Sequence, residues 1–225
     1  EVAATAKRFG FQLDPRARVD TLTAGSQQKV EIVKALHRGA QVLILDEPTA
    51  VLTPQESDEL SQVMRGLVAQ GRTVVLISHK LKEVLGVADR VAVMRRGRTV
   101  AEVRASETTV SALAALMVGE GSKGAAMTGV PATAVETTGL SGTASGAQEA
   151  ATGPVVLEAK DLRATGDNGR PALQGVSLTV RAGEIVGIAG VDGNGQRELA
   201  EVLTGLRELD AGEGTLLGGP LEGLT

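Results

Sequence analysis

The run Val42-Leu43-Ile44-Leu45 is followed without a break by Asp46-Glu47-Pro48-Thr49. Consecutive branched apolar residues suit a strand buried on both faces of a parallel sheet, and the two carboxylates arrive where that strand ends. Open α/β sheets bind ligands at this carboxyl edge. An Asp-Glu pair placed there suits a metal ion and a water, with Asp46 holding Mg2+ and Glu47 orienting or deprotonating the attacking water. Two solvated acids after a core strand give the same pattern.

Composition narrows the classes. At 42% hydrophobic and 22% charged over 225 residues, the chain has material for one or two cores. No apolar run approaches the roughly 18 residues that span a bilayer, and no basic-then-apolar leader opens the chain, so the expectation is a protein that does not itself cross a membrane. A net charge of -4 without a long basic block gives nucleic acid no electrostatic footprint. Cysteine is absent, which excludes disulfides and thiolate metal sites and fits a cytosolic setting. Phe9 and Phe11 are the only aromatic residues, so stacking a base on an aromatic face is nearly closed to this sequence. The chain lacks an initiator Met, Glu1 to Gly10 reads as the middle of an amphipathic helix, and Leu221 to Thr225 stops without an element to end on. The expectation is a fragment.

Asp14-Pro15 breaks the opening segment. Thr21-Leu22-Thr23-Ala24-Gly25-Ser26-Gln27-Gln28 then opens a helix running to about Leu36, with Val30, Val33 and Leu36 on one face. Hydroxyl and amide side chains beside a Gly at a helix N-terminus suit a phosphate, and they suit an ordinary N-cap equally. After Glu47, Thr53-Pro54-Gln55-Glu56 is a capping box with Pro at the first helical position. Leu60, Val63, Met64, Leu67 and Val68 repeat at helical spacing, giving a core-facing helix that ends at Gly71. Thr73 to Ile77 predicts a second buried strand that delivers Ser78 and His79 at its end. There His79 either donates to a γ-phosphate oxygen or is a loop histidine without a partner. His37, near a helix end, fits a cap or surface role. A helix follows from Lys80 to Val87, then a hairpin of Val91 to Met94 and Thr99 to Val103 around Arg96-Gly97, then a small helix from Thr108 to Met117.

From Gly119 to Gly153 the sequence turns to Gly, Ala, Thr and Ser, a composition expected of a flexible linker because it cannot bury enough apolar surface to offset the entropy of ordering. Strands are expected at Val155 to Glu158, Ala172 to Val180 and Glu184 to Ala189. The last leads directly into Gly190-Val191-Asp192-Gly193-Asn194-Gly195-Gln196-Arg197-Glu198 and a helix to about Leu203. Strand, glycine loop, helix is the setting of a phosphate loop, whose glycines let backbone N–H groups converge on an anion. The Lys that would reach the outer phosphates is replaced by Gln196, and the Mg2+-binding Ser or Thr by Arg197, so hydrolysis is handicapped here. A tight strand-to-helix turn that needs its glycines for packing is the structural alternative. A dinucleotide fingerprint fits worse, because Glu198 stands where its third Gly would be.

Together these elements resemble the ATP-binding subunits of ABC importers, most closely those for sugars and nucleosides that carry two nucleotide-binding domains in one polypeptide. Leu22, Thr23, Ala24, Gly25, Ser26 and Gln27 resemble the signature motif, with Thr23, Ala24 and Ser26 departing from its commonest form. Val42 to Glu47 resemble Walker B, Thr49 to Thr53 the D-loop, and His79 the switch histidine. Gly190, Asp192, Gly193, Asn194, Gly195, Gln196, Arg197 and Glu198 resemble a degenerate Walker A loop.

The resemblance implies an α/β fold of P-loop NTPase type in two partial copies. The expected divisions are 1–118, the end of a first ATPase domain; 119–153, the linker; and 154–225, the start of a second, degenerate domain. It implies ATP and Mg2+ as cofactors, Asp46 as the metal residue, Glu47 as base and His79 as its companion, with the signature and glycine-loop residues binding nucleotide. Expected partners are transmembrane permease subunits, an extracytoplasmic solute-binding protein reached through them, and the complementary halves of both ATPase domains, without nucleic acid. The implied location is peripheral, at the cytoplasmic face of the membrane. A soluble tandem ABC ATPase acting on ribosomes or nucleic acid is the rival, against which stand the nearly neutral linker and the degenerate loop. A nucleotide-binding remnant without turnover is a second rival. The tether also allows the two stretches to dock as one circularly permuted domain, an idea that separate sheets for Gly193 and Asp46 would dispose of.

Overall fold

A computed structural model describes residues 2–11, 13–119 and 153–221. Most of the expected linker lies outside the described residues. In chain order the elements are α1 (Val2–Arg8), α2 (Ala24–His37), β1 (Val42–Asp46), α3 (Pro54–Ala69), β2 (Thr73–Ser78), α4 (Leu81–Val87), β3 (Arg90–Arg95), β4 (Arg98–Arg104), α5 (Val110–Val118), β5 (Val155–Thr165), β6 (Pro171–Arg181), β7 (Ile185–Ala189), α6 (Gln196–Leu203), β8 (Ala211–Leu216) and β9 (Gly219–Pro220).

The main sheet has the order β1-β2-β7-β3-β4. Its central strand therefore comes from the far side of the expected linker. β7 pairs in parallel with β2 through Val74↔Ile185 to Ser78↔Ala189 and with β3 through Arg90↔Val186 to Val93↔Ala189. Side chains fix this position as firmly as the ladder does. Asp89 accepts from the Ile185 N–H at 2.8 Å, and Arg90 reaches the buried Glu184 at 3.2 Å. Asp46 closes β1 and Gly193 follows β7, so both belong to one sheet and the two stretches share a core.

Period-two alternation explains the layers. Val74 and Leu76 of β2, Val91 and Val93 of β3, and Ile185 and Ala189 of β7 turn to a core shared with Ile32, Val33 and Leu36 of α2 and Leu60, Met64 and Leu67 of α3. Val75, Ile77, Ala92, Met94, Val186 and Ile188 turn the other way. There they meet α6 and the antiparallel sheet β6-β5-β8-β9. Gly187 stands where α4 crosses closely, since a Cβ there would lie 2.4 Å from Val84 Cγ1.

Thr53 and Glu56 form the expected capping box at the start of α3. The hairpin turns at Arg96 and Gly97, with φ of 51° and 71°, the mirror-image geometry that matches strand twist. Three expectations are corrected, and two strands are added to them. β1 is an edge strand paired only to β2 among the described residues, so Val42, Ile44 and Leu45 are half-buried, and a cleft of ≈ 320 Å³ runs beside it towards Gln28 and Ile32. Ile32 joins Val33 and Leu36 on the core face of α2, while Val30 is only partly buried. The strand expected at Val155 to Glu158 runs on to Thr165 through an irregular register near Asp161, whose φ is 47°. Its polar second half hid it. β8 and β9, rich in Gly, were not foreseen at all.

Candidate functional site

The polar ends of β1 and β2 and the loop after β7 meet at one edge of the main sheet. β1 delivers Asp46 and Glu47 because the strand ends there, and the Glu47 N–H still donates to the Ile77 carbonyl of β2 at 2.9 Å. Glu47 then turns into the left-handed region, with φ of 44°. Such a conformation costs an L residue about 1–3 kcal/mol and is found where the surroundings enforce it. Here they do. Glu47 Oε1 accepts from the His79 backbone N–H at 3.0 Å and lies 2.8 Å from His79 Nδ1, while Ser78 Oγ approaches Oε2 at 3.5 Å. The backbone turn thus aims the carboxylate back over the end of β2.

Asp192, in the glycine loop, brings Oδ1 to 3.9 Å from His79 Nδ1. Asp46 is solvent-exposed, yet its carboxyl pKa is raised, first by partial burial at the strand end and then by the charge of Glu47, with Arg197 opposing. Asp46, Glu47, His79, Asp192 and Arg197 are therefore electrostatic neighbours. Thr49, in the stretch likened to a D-loop, is buried and hydrogen-bonded to Glu83, and its carbonyl accepts from Lys80 Nζ at 2.6 Å.

The loop is held from outside and filled from inside. Outside, the Arg96-Gly97 turn grips Asn194: Arg96 N–H donates to Asn194 Oδ1 at 2.6 Å and Gly97 N–H to the Asn194 carbonyl at 3.0 Å. Inside, the buried Gln196 accepts from Asn194 N–H at 3.1 Å and donates to the Val191 carbonyl at 3.0 Å. Its amide lies over Gly190, where a Cβ would come within 2.2 Å of Nε2. Gly195, the N-cap of α6, has φ of 96°, and a Cβ on it would lie 2.5 Å from the Ala172 carbonyl oxygen, so only glycine fits there. Among the described residues the N–H groups of Gly193, Gly195, Gln196 and Arg197 have no protein partner. Unpaired amides at a glycine loop and helix start fit a phosphate. The carboxylates of Asp46 and Glu47 at the strand end fit a hydrated Mg2+.

The signature-like stretch lies apart from this cluster. Thr23 caps α2 by accepting from Ser26 N–H at 3.3 Å, and Gln27 donates to the Val19 and Leu22 carbonyls at 3.2 and 3.1 Å. Gly25 is buried against Glu56 of α3. Leu22, Thr23, Ala24, Gly25, Ser26 and Gln27 thus form one local unit with the α3 cap. Glu198, in the first turn of α6, makes no side-chain hydrogen bond among the described residues. The Arg96-Gly97 clamp escaped sequence reasoning. A Gly in a hairpin turn marks the turn, but nothing local ties Arg96 to Asn194.

Residues 1–50 match the family described as ABC transporter. The chain is 42% identical to the nucleoside import ATP-binding protein NupA of Lactococcus lactis, over 94% of this chain and 38% of that protein. It is 46% identical to the glucose import ATP-binding protein TsgD13 of Haloferax volcanii, over 95% of this chain and 35% of that one. It is 42% identical to the guanosine import ATP-binding protein NupO of Bacillus subtilis, over 100% of this chain and 40% of that one. The chain thus spans about two fifths of the length of these curated relatives.

Proposed function

We propose that this chain, similar over nearly all its length to ATP-binding proteins of import systems, is part of an ABC-type subunit energising uptake of a simple sugar or nucleoside, and that it binds ATP with Mg2+ where β1, β2 and β7 end. The observation that carries this reading is the meeting of Glu47, His79 and Asp192 from three separate strand ends beside the glycine loop. The free N–H groups of Gly193, Gly195, Gln196 and Arg197 hold phosphate oxygens, and the α6 dipole adds to them. Asp46 would hold Mg2+, which when bound would supply positive charge against the transferred phosphoryl. Glu47 orients and deprotonates the attacking water. His79, hydrogen-bonded to Glu47, fixes that carboxylate and faces the γ-phosphate.

In the longer protein, residues 1–118 and 154–225 are two partial copies of an ATPase domain. There the pairing differs from the one in this chain: Asp46, Glu47 and His79 serve a competent site with another phosphate loop, and the α2 start, closed in this chain by Thr23 and Glu56, opens so that Leu22 to Gln27 face ATP held on the degenerate loop. The partners are membrane permease subunits at the cytoplasmic face and, through them, an extracytoplasmic binding protein. Import relatives favour this over action on ribosomes or nucleic acid. For this chain alone, Gln196 in place of a Lys supports a second reading: nucleotide is bound and turned over little.

The test is Glu47→Gln in the longest protein that carries this chain. Removing the base and little binding energy leaves ATP affinity near wild type and lowers turnover by a factor of about 100 or more. Turnover within a few-fold of wild type overturns the role of Glu47.

A further inference from the structure

The glycine loop and the start of α6 are poor in ligands for a cation and rich in places for a phosphate. Arg197 stands where a phosphate loop carries its Mg2+-binding hydroxyl, and its positive charge repels the ion. Gln196 is buried, with its amide spent on the Asn194 N–H and the Val191 carbonyl. Glu198 turns aside to the β5–β6 turn, where its Oε1 lies 3.5 Å from the point that a Cβ on Gly166 would occupy. Arg197 is the one cationic side chain of residues 190–198, against Asp192 and Glu198. It is loosely held. Its Nε donates to Glu201 Oε1 at 2.9 Å, and its terminal nitrogens have no partner among the described residues. The Arg197 side chain is 72% exposed, against 17% for Arg207, and an exposed ion pair of this kind is weak. Glu201 does not depend on it. Arg207 reaches the other carboxylate oxygen through Nε at 2.8 Å and is itself fixed by Asp167 at 2.6 Å and the Thr165 carbonyl at 2.7 Å. Arg207, ahead of Arg197, holds the Glu201 carboxyl below the usual carboxylate range. Arg197 can therefore leave without stranding a charge. Helical side chains lean towards the helix N-terminus, so from the second position of α6 the guanidinium reaches the loop in the direction its Cβ already points. All these groups lie on one side of the expected linker, so none of this depends on how the two stretches dock.

We propose that Arg197 stands in for the metal on this loop: when nucleotide binds, its guanidinium leaves Glu201 and forks onto the phosphate chain, so that the loop retains ATP without a divalent cation. The inference rests on the nucleotide site proposed above and names the residue that takes the ion's part in holding it. A guanidinium is always charged and makes paired, charge-assisted hydrogen bonds to phosphate oxygens. The bracket of Glu201, Arg207 and Asp167 keeps α6 against the β5–β6 turn while Arg197 moves. The Mg2+ assigned to Asp46 serves turnover, and retention of nucleotide on this loop does not depend on it.

The experiment titrates this chain with a fluorescent ATP analogue, once in EDTA and once in excess Mg2+. Wild type binds with affinities that agree within about three-fold. In EDTA, Arg197→Ala weakens binding about ten-fold or more, because a hydrogen-bonded charge is lost, and Arg197→Lys recovers part of that loss. Glu201→Gln, which releases Arg197 from its ion pair, binds as tightly as wild type or more so. Equal affinity in Arg197→Ala overturns the proposal, and so does a loss in Glu201→Gln as large as that in Arg197→Ala, since the ion pair would then matter only for the shape of α6. Binding that requires Mg2+ overturns the role of Arg197 and leaves the proposed function standing, whereas no binding with or without the ion overturns both.

Discussion

Two helix starts in this molecule carry glycine and polar side chains, and they have opposite surroundings. At α2, Thr23 already occupies the Ser26 N–H, and Gly25 is pressed on the Glu56 carboxylate, where a Cβ would lie 2.6 Å from Oε1. A phosphate placed there would compete with a hydroxyl cap and meet a carboxylate. At α6 there is no side-chain cap, and the N–H groups of Gly193, Gly195, Gln196 and Arg197 are free among the described residues. The same motif chemistry is thus closed in one place and open in the other. The difference lies in tertiary neighbours: Glu56 comes from α3, whereas the Arg96-Gly97 turn holds the α6 loop by its outside and leaves its amides clear.

The strongest way to break this contrast is to put a methyl group at each glycine. Gly195→Ala meets a backbone carbonyl that cannot move and a φ of 96°, at a cost of about 1–3 kcal/mol. The loop should distort, and binding of a fluorescent ATP analogue should fall at least about ten-fold, the equivalent of about 1.4 kcal/mol. Gly25→Ala meets side-chain ends alone, the Glu56 carboxylate and Leu52 Cδ2 at 3.3 Å, and its loss of about 1 kcal/mol of capping is offset by a gain of similar size from replacing a helical glycine. Stability and analogue binding should barely change. If Gly25→Ala abolishes binding and Gly195→Ala does not, the open site has been assigned to the wrong helix.

How much of this was legible follows from the range of the signals. The α3 cap was readable because Thr53 and Glu56 lie one turn apart and satisfy each other. So was the convergence of polar residues on one sheet edge, since Asp46, Glu47 and His79 each follow an apolar run. The apolar run of β1 wrongly suggested burial on both faces, because hydrophobicity does not report whether a neighbouring strand is present. The tether allows the two stretches to dock, but nothing in the sequence places β7 between β2 and β3. That placement depends on Asp89, Arg90 and Glu184, whose pairing crosses about half the chain. β8 escaped because Ala211 to Gly214 lack the alternation that marks a strand.

A smaller effect sharpens the closed end. Thr53→Ala removes the hydroxyl of the capping box, which accepts from the Glu56 N–H at 3.3 Å, and leaves Glu56, which otherwise accepts from both Thr53 N–H and Thr53 Oγ1 at 3.0 Å, with the backbone N–H alone. The expected loss is about 1 kcal/mol, or about 2–4 °C in Tm for a chain of this size, read by calorimetry. Analogue binding at α6 should not follow. A parallel loss of binding would mean that the two helix starts are coupled and the contrast between them is not local.

The smallest effect is in pH. The Thr53 backbone N–H, and next the Thr53 hydroxyl, hold the Glu56 carboxyl below the usual carboxylate range. A depressed pKa means that the folded state binds this proton less readily than the unfolded state does. Its contribution to stability is therefore complete above the ordinary carboxylate pKa and is lost as pH falls through that range to the folded value. Glu56 is half-exposed at the surface, so solvent screens the effect and it stays slight. Glu56→Gln keeps an acceptor for the Thr53 N–H and removes the titration. Its Tm should run parallel to wild type above the carboxylate range and converge with it on acidification. An unchanged gap across the whole acid limb would show that the cap works through shape alone, and that the charge facing Gly25 is not what closes the α2 end to phosphate.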